Sequence, residues 1–136
     1  MKINGINHIT FATANLETSI AFYQNILGFE LAATWDSGAY LQSGELWLCL
    51  SFDEATKTEP TKDYSHIALN IDEADFPQFE QLISTHDIPI WKTNSSEGQS
   101  LYILDPDHNK LELHSSTLKS RLQHMQQHPY PGMKFH

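Results

Sequence analysis

One short pattern occurs twice along this chain, and each copy opens the same succession of elements. Asn7-His8-Ile9-Thr10-Phe11 reappears as Ser65-His66-Ile67-Ala68-Leu69. Each is followed by a helix-like stretch and then three strand-like stretches, so the order βαβββ recurs. An internal repeat of this kind implies a structure built from paired copies. If each copy curls a four-stranded sheet, a pair encloses a cleft with one histidine-bearing strand in each.

The elements follow from local periodicity. Residues 6–13 alternate apolar and polar, as a half-buried strand does. Asn15 then caps a helix whose apolar face is Leu16, Ile20, Phe22, Tyr23, Ile26 and Leu27, ending at Gly28. Strands are predicted at 30–35, 38–43 and 45–51, separated by the turn formers Asp36-Ser37-Gly38 and Ser43-Gly44. Residues 53–63, polar and broken by Pro60, read as an exposed linker. The second copy places a strand at 64–71 and a helix at 73–84 with Phe76, Phe79, Leu82 and Ile83 inward. Strands follow at 89–93, 100–104 and 110–114, the last two joined by Asp105-Pro106-Asp107-His108-Asn109. A helix at 118–127 precedes a polar tail. The expected class is α+β: one domain over 1–136, with modules at about 1–52 and 64–115 and a C-terminal helix and tail at 116–136.

Composition narrows the partners. A chain of 136 residues suffices for one structural unit, and 40% hydrophobic with 18% charged residues is ordinary for a globular protein. Eight Lys and Arg against seventeen Asp and Glu give a net charge of -9 without a basic stripe, which argues against nucleic acid. The only cysteine, Cys49, excludes an intramolecular disulfide framework. The N-terminus shows no charged-then-apolar leader, and no apolar run is long enough to span a bilayer, so the expected location is the cytoplasm and no membrane role is foreseen.

Imidazole and carboxylate are costly to bury without partners. His8 and His66 lie among apolar strand residues, and Lys110-Leu111-Glu112-Leu113-His114 sets a carboxylate in an equally apolar alternation. Two imidazoles and a carboxylate suit a divalent Mn, Fe, Co, Ni or Zn, and an oxygen-rich site completed by substrate favours Mn. The competing reading makes each histidine a hydrogen-bonded strand residue and Glu112 a sheet-edge cap. His114 shares a strand face with Glu112 and is read as supporting or packing beside it. His86, His108, His124, His128 and His136 fall in helix, turn or tail contexts and are read as solvated. The hydroxyl-rich segment 92–102 offers Lys92, Ser96, Ser100 and Tyr102 for a phosphate-like group, and Arg121, the only arginine, offers planar bidentate donors; a solvated loop and a surface arginine are the alternative. Trp47 and Cys49 share one face of a strand with two apolar faces, so packing is expected. Cys49 lacks an adjacent base that would make it a nucleophile.

These segments, together with Trp35-Asp36-Ser37-Gly38-Ala39-Tyr40-Leu41, Leu46-Trp47-Leu48-Cys49-Leu50, Ser96-Glu97-Gly98, Tyr102-Ile103-Leu104-Asp105-Pro106-Asp107 and the tail Pro129-Tyr130-Pro131-Gly132-Met133-Lys134-Phe135, closely resemble the fosfomycin-resistance thiol transferases of the vicinal oxygen chelate superfamily. The resemblance runs essentially end to end. It implies a homodimer in which modules pair across subunits, with His8 of one copy completing a Mn(II) site made by His66 and Glu112 of the other. It also implies K(I) held around Asn94, Ser96, Glu97, Gly98 and Ser100, and attack of a thiolate, glutathione first, on the oxirane C1 of fosfomycin. Substrate contacts are implied for Thr10, Trp47, Lys92, Ser96, Ser100, Tyr102 and Arg121. Catalytic roles fall to Thr10, Tyr40 and Glu112, and thiol contacts to Trp35, Lys92 and Tyr130. Ser37 and Ser95 stand where glutathione-using members often carry longer polar or basic side chains, which leaves bacillithiol or cysteine as alternative thiols. Two further alternatives are hydration of the epoxide, with Glu45 as the acidic candidate on the strand face of Trp47, and drug binding without chemistry.

Overall fold

The computed structural model describes all 136 residues, Met1–His136. The expected α+β class and the repeated βαβββ order are both observed. The first copy comprises β1 (His8–Thr13), α1 (Leu16–Asn25), β2 (Glu30–Trp35), β3 (Gly38–Ser43) and β4 (Leu46–Phe52). The second comprises β5 (Ile67–Asn70), a 3-10 turn (Glu73–Asp75) leading into α2 (Phe76–Thr85), β6 (Ile90–Lys92), β7 (Ser100–Leu104) and β8 (Lys110–His114). A last helix, α3 (Leu118–Gln127), follows. No helix is long and apolar enough to cross a membrane.

Each copy forms its own four-stranded sheet, with orders β1-β4-β3-β2 and β5-β8-β7-β6. In both, the first strand pairs in parallel with the last, because the intervening helix carries the chain back across the sheet. The register sets His8 beside Trp47 and Thr10 beside Cys49 in the first sheet, and Ala68 beside Glu112 in the second.

The chain divides into two compact units, Met1–Ser65 with Leu104–Asn109, and His66–Ile103 with Lys110–His136. In the first, Asn15 Oδ1 accepts from Thr18 N at the start of α1, as its sequence position predicts. Phe22, Tyr23, Ile26, Leu27 and Phe29 are buried with Leu41, Leu48 and Leu50. Gly28, at φ +72°, turns the chain out of α1 in a conformation that a Cβ would strain. After α2 the same left-handed step is taken by Asp87, at φ +49°, and Ile88 N then closes on Ile83 O at 3.0 Å. This substitution of Asp for Gly leaves the second helix stop less visible in sequence.

The 104–109 turn belongs to the first unit, although strands of the second flank it. Asp105 Oδ2 accepts from Tyr23 Oη at 2.7 Å. Asp107 accepts from Ser19 Oγ at 2.8 Å and from Ala14 N at 2.9 Å. Asp105 Oδ1 also accepts from Asp107 N and Asn109 N, so every oxygen of both buried carboxylates has a donor. Burial and the Asp105 carboxylate raise the Tyr23 hydroxyl well above its usual pKa.

In the second unit Phe76 and Ile83 of α2 are buried with Ile103, Leu111, Leu113 and Met125. Thr117 and Ser120 form a reciprocal capping box that starts α3. Several expected boundaries move by one or two residues, and two starts move by three. The strand foreseen at 64–71 is ordered only as Ile67–Asn70, leaving His66 just ahead of it, and the helix foreseen from 73 begins with a 3-10 turn where Pro77 occupies the first helical turn.

Candidate active site

In the first unit, alternation along the strands sends Leu48 and Leu50 of β4 inward and turns Trp47 to the open face of the sheet. The ring of Trp47 lies 4.4 Å from that of His8 and 5.1 Å from that of Tyr40. Tyr40 lies 4.7 Å from Trp35. Four side chains from four different strands thus make one aromatic row, and all four are exposed. The packing role expected for Trp47 is therefore replaced by a place on an open face, because β4 has only one covered side. Cys49 is half-buried and faces Thr10 and Tyr40 in register. His8 Nδ1 sits 2.7 Å from Asn7 Oδ1, which can only accept. Nδ1 therefore carries the proton, and Nε2 keeps its lone pair for a metal or donor.

In the second unit Glu112, 8 % exposed, stands at the centre of β8. Its Oε2 is 2.9 Å from His66 Nε2, and its Oε1 accepts from Ser100 Oγ at 2.6 Å. Burial pushes this carboxyl up, but hydrogen bonds from Ser100 and His66, the electrostatic influence of His114 and a hydrogen bond from Tyr102 together outweigh it. The group ionises below its usual range. Around the pair, Tyr102 is 6.1 Å from His66 ring to ring, and Lys92 Nζ lies 4.6 Å above the Tyr102 ring.

The 94–98 loop folds on itself: Asn94 Nδ2 donates to Gly98 O at 2.8 Å, and Ser96 N and Oγ both donate to Asn94 Oδ1. Gly98 takes φ +81°, and a Cβ there would come within 3.0 Å of Ser116 Oγ. Arg121 donates through Nε to Glu97 Oε2 and through Nη2 to Glu97 O, both at 3.1 Å, so one edge of the guanidinium is fixed while Nη1 is not spent on Glu97. It is a held arginine, not the solvated one of the alternative reading.

Of the residues singled out in sequence, His66, Glu112, Ser100, Tyr102 and Lys92 thus meet in the second unit, with Arg121, Glu97, Ser96, Asn94 and Gly98 in the adjoining loop network. His8, Thr10, Trp47, Tyr40 and Trp35 share one sheet face in the first. Tyr130 lies in the C-terminal turn, 54 % exposed, its carbonyl accepting from Met133 N. Glu45, the acidic candidate for hydration, lies exposed in the β3–β4 turn. Two participants, Trp91 and Ser116, went unforeseen. Trp91 packs 5.4 Å from His66 and 5.2 Å from Tyr102. Ser116 touches His114 at 2.6 Å, and His114, expected as a support beside Glu112, also lies 2.7 Å from Ser100 Oγ. Only the spacing of His114 and Ser116, two apart across the end of β8, hinted at the contact.

No three His, Cys, Asp or Glu side chains of the single chain are grouped to hold a metal. The His66–Glu112 pair does offer an imidazole and an ionised carboxylate 2.9 Å apart, a donor set that fits Mn(II) with further ligands from outside it.

Comparison with known proteins agrees. The model of the Glyoxalase/Bleomycin resistance protein/Dioxygenase superfamily matches residues 5–113. Glutathione transferase FosA of Serratia marcescens is 44% identical over 135 residues, covering 98% of this chain and 96% of that protein. Metallothiol transferase FosB of Staphylococcus epidermidis is 38% identical over 128 residues, covering 91% and 90%. A point variant of the fosfomycin resistance protein FosX of Listeria monocytogenes, solved with Mn(II) and 1S,2S-dihydroxypropylphosphonic acid, superposes with a TM-score of 0.78 at 26% identity, covering 89% of this chain and 99% of that one. With the superfamily model spanning most of its length and FosA alike over nearly all of it, the chain belongs to the glyoxalase, bleomycin-resistance and dioxygenase superfamily and, within it, to the fosfomycin-resistance enzymes.

Proposed function

We propose that the protein inactivates fosfomycin by adding glutathione to C1 of its oxirane ring. The observation that carries this reading is the convergence, in one unit, of a metal-ligand pair with hydroxyl, ammonium and guanidinium donors suited to a phosphonate. Likeness to FosA over almost the whole chain supports glutathione as the thiol. A homodimer would bring His8 of one copy to His66 and Glu112 of the other.

Lys92, Ser96, Tyr102 and Arg121 bind the phosphonate and orient the ring, Ser100 beside them holds the Glu112 carboxylate with its one proton, and Trp47 packs against the substrate's carbon atoms. His8, His66 and Glu112 would hold Mn(II), which would supply Lewis acidity toward the epoxide oxygen. Thr10 and Tyr40 stand on the open face, where their hydroxyls steer the incoming thiol; Trp35, Lys92 and Tyr130 line its approach. The thiolate sulfur forms a bond to C1 as the C1–O bond breaks, and the oxygen takes the proton the thiol gave up, so no protein nucleophile is needed. K(I) is assigned to the loop of Asn94, Ser96, Glu97, Gly98 and Ser100, where carbonyl, carboxamide, hydroxyl and carboxylate oxygens suit a hard cation. Its charge would add to that of Arg121 on the phosphonate.

The test is phosphorus NMR of metal-stripped protein incubated with fosfomycin and either no thiol, glutathione, bacillithiol or cysteine, each with and without Mn(II) and potassium. A Mn(II)-dependent adduct is expected. Unchanged drug in every arm would sink the transferase reading, and reaction with bacillithiol or cysteine alone would move the thiol assignment. Hydration is the second reading, favoured by the diol bound to the FosX neighbour. A diol formed without any thiol would establish it.

A further inference from the structure

Between the Glu112 carboxylate and the Arg121 guanidinium runs one continuous set of hydrogen bonds, and His114 is its middle member. Ser100 Oγ lies 2.6 Å from Glu112 Oε1 and 2.7 Å from His114 Nδ1. On the other side of the ring, Ser116 Oγ lies 2.6 Å from Nε2 and 3.3 Å from Glu97 Oε2, which accepts from Arg121 Nε. Arg121 Nη2 itself approaches Nε2 at 3.4 Å.

The direction of these bonds follows from which groups can donate. Ser100 has one hydroxyl proton, and a carboxylate 2.6 Å away is the stronger acceptor, so Ser100 donates to Glu112 and accepts from His114 Nδ1. An arginine only donates, so the Nε2 it faces offers a lone pair; Ser116 then spends its one proton on Nε2 rather than on Glu97, and the ring meets the loop through Arg121 itself. The ring therefore reads the anion-binding side through Nε2 and the carboxylate side through Nδ1. Gly98 lets the loop close on this ring: a Cβ there would come 3.2 Å from His114 Cε1.

We propose that His114 is a positioning residue that couples the Glu112 metal-ligand pair to the Arg121 anion-binding loop, so that an anion bound at the loop raises the metal affinity of Glu112 and a bound metal raises that of the loop. The coupling rests on the metal and phosphonate roles proposed above. By linkage, the two effects are equal in size.

The experiment measures Mn(II) affinity from the EPR signal of unbound ion, with and without methylphosphonate, in wild type, His114→Ala, His114→Asn and His114→Gln. Circular dichroism checks that each variant is folded. Wild type should bind Mn(II) more tightly when methylphosphonate is present. His114→Ala should weaken Mn(II) about tenfold, as loss of a ligand's hydrogen-bonding support does, and should abolish the methylphosphonate effect. Asn reaches Ser100 but not Ser116, so His114→Asn should keep Mn(II) affinity within about twofold of wild type yet lose the coupling, with fosfomycin KM raised more than kcat is lowered. If Gln or Asn restores nothing relative to Ala, or if Ala matches wild type, the coupling role is wrong while the metal site stands. Wild type that binds no Mn(II) would overturn the metal reading itself, and the coupling with it.

Discussion

The hydroxyl of Ser100 on β7 lies 2.6 Å from Glu112 and 2.7 Å from His114, so one small side chain fixes two functional neighbours on β8. Its bond to Glu112 is the largest of the influences that hold this carboxyl down against its burial. A carboxyl whose folded pKa lies below its unfolded value stabilises the fold above the unfolded value and loses that contribution as pH falls through the folded one. Metal-free protein should therefore lose stability as pH drops from about 4.5, the ordinary glutamate value. In Ser100→Ala the acid-side loss should be smaller, because Glu112 titrates closer to normal. Thermal melts across pH 3 to 6 (roughly, the range in which carboxylates titrate) make the comparison; equal acid slopes in the two proteins would refute it.

Tyr23 gives the opposite sign. Burial, with Asp105 alongside, raises its hydroxyl above the ordinary value of 10.0, so folding favours the protonated form. That stability is fully present below 10.0 and is lost as pH rises through the folded pKa. Tyr23→Phe should cost about 2 kcal/mol near neutrality, the worth of a hydrogen bond to a charged acceptor, and should remove the alkaline step. Chemical denaturation at neutral and alkaline pH would show both effects or neither.

Gly98→Ala places a methyl group 3.0 Å from Ser116 at a backbone angle of φ +81°. The strain should cost about 1–3 kcal/mol if the loop holds its shape. Relief by loop movement would instead spare stability and pull Glu97 away from Arg121, raising fosfomycin KM. Melting temperature and KM measured together distinguish these two results, and a variant unchanged in both would contradict the tight packing.

Arg121 and Cys49 are the two residues where a binding role and a packing role are easiest to separate by kinetics. Arg121→Ala should raise fosfomycin KM about 10- to 100-fold, as loss of a charge-assisted bond to a phosphonate does. Cys49→Ala should change kcat/KM by less than about threefold, because no base adjoins the thiol and the reaction uses an external sulfur. Initial rates with fosfomycin varied at fixed glutathione would test the order; a larger loss in Cys49→Ala would reverse the assignment.

Much of the fold was legible because its signals are local. Asn15 as cap, Gly28 as stop and the two-residue alternation of β1 each depend on neighbours within four residues, and the helix and strand they predict are observed. Boundaries slipped where tertiary contacts take over: β5 starts after His66, and α2 starts after a 3-10 turn. In the site, residue types were readable but contacts were not. Arg121 was visible as the single arginine, yet its partner Glu97 lies 24 positions away, a separation no helix or strand period encodes.

By itself the sequence determined the repeat, the elements within each copy, and the family to which the chain belongs, since each is written in order and spacing. Only the tertiary structure decided what stands beside what. Parallel pairing of β1 with β4 put His8 against Trp47, 39 positions on. Burial of the 104–109 turn in the first unit drove Asp105 onto Tyr23, 82 positions away. His114 became the centre of a network because strand β8, the loop ahead of β7 and helix α3 close around it. Such contacts arise when chain segments bury apolar faces together and their polar groups must then find partners, and that pairing is fixed by the packed fold rather than by any local run of residues.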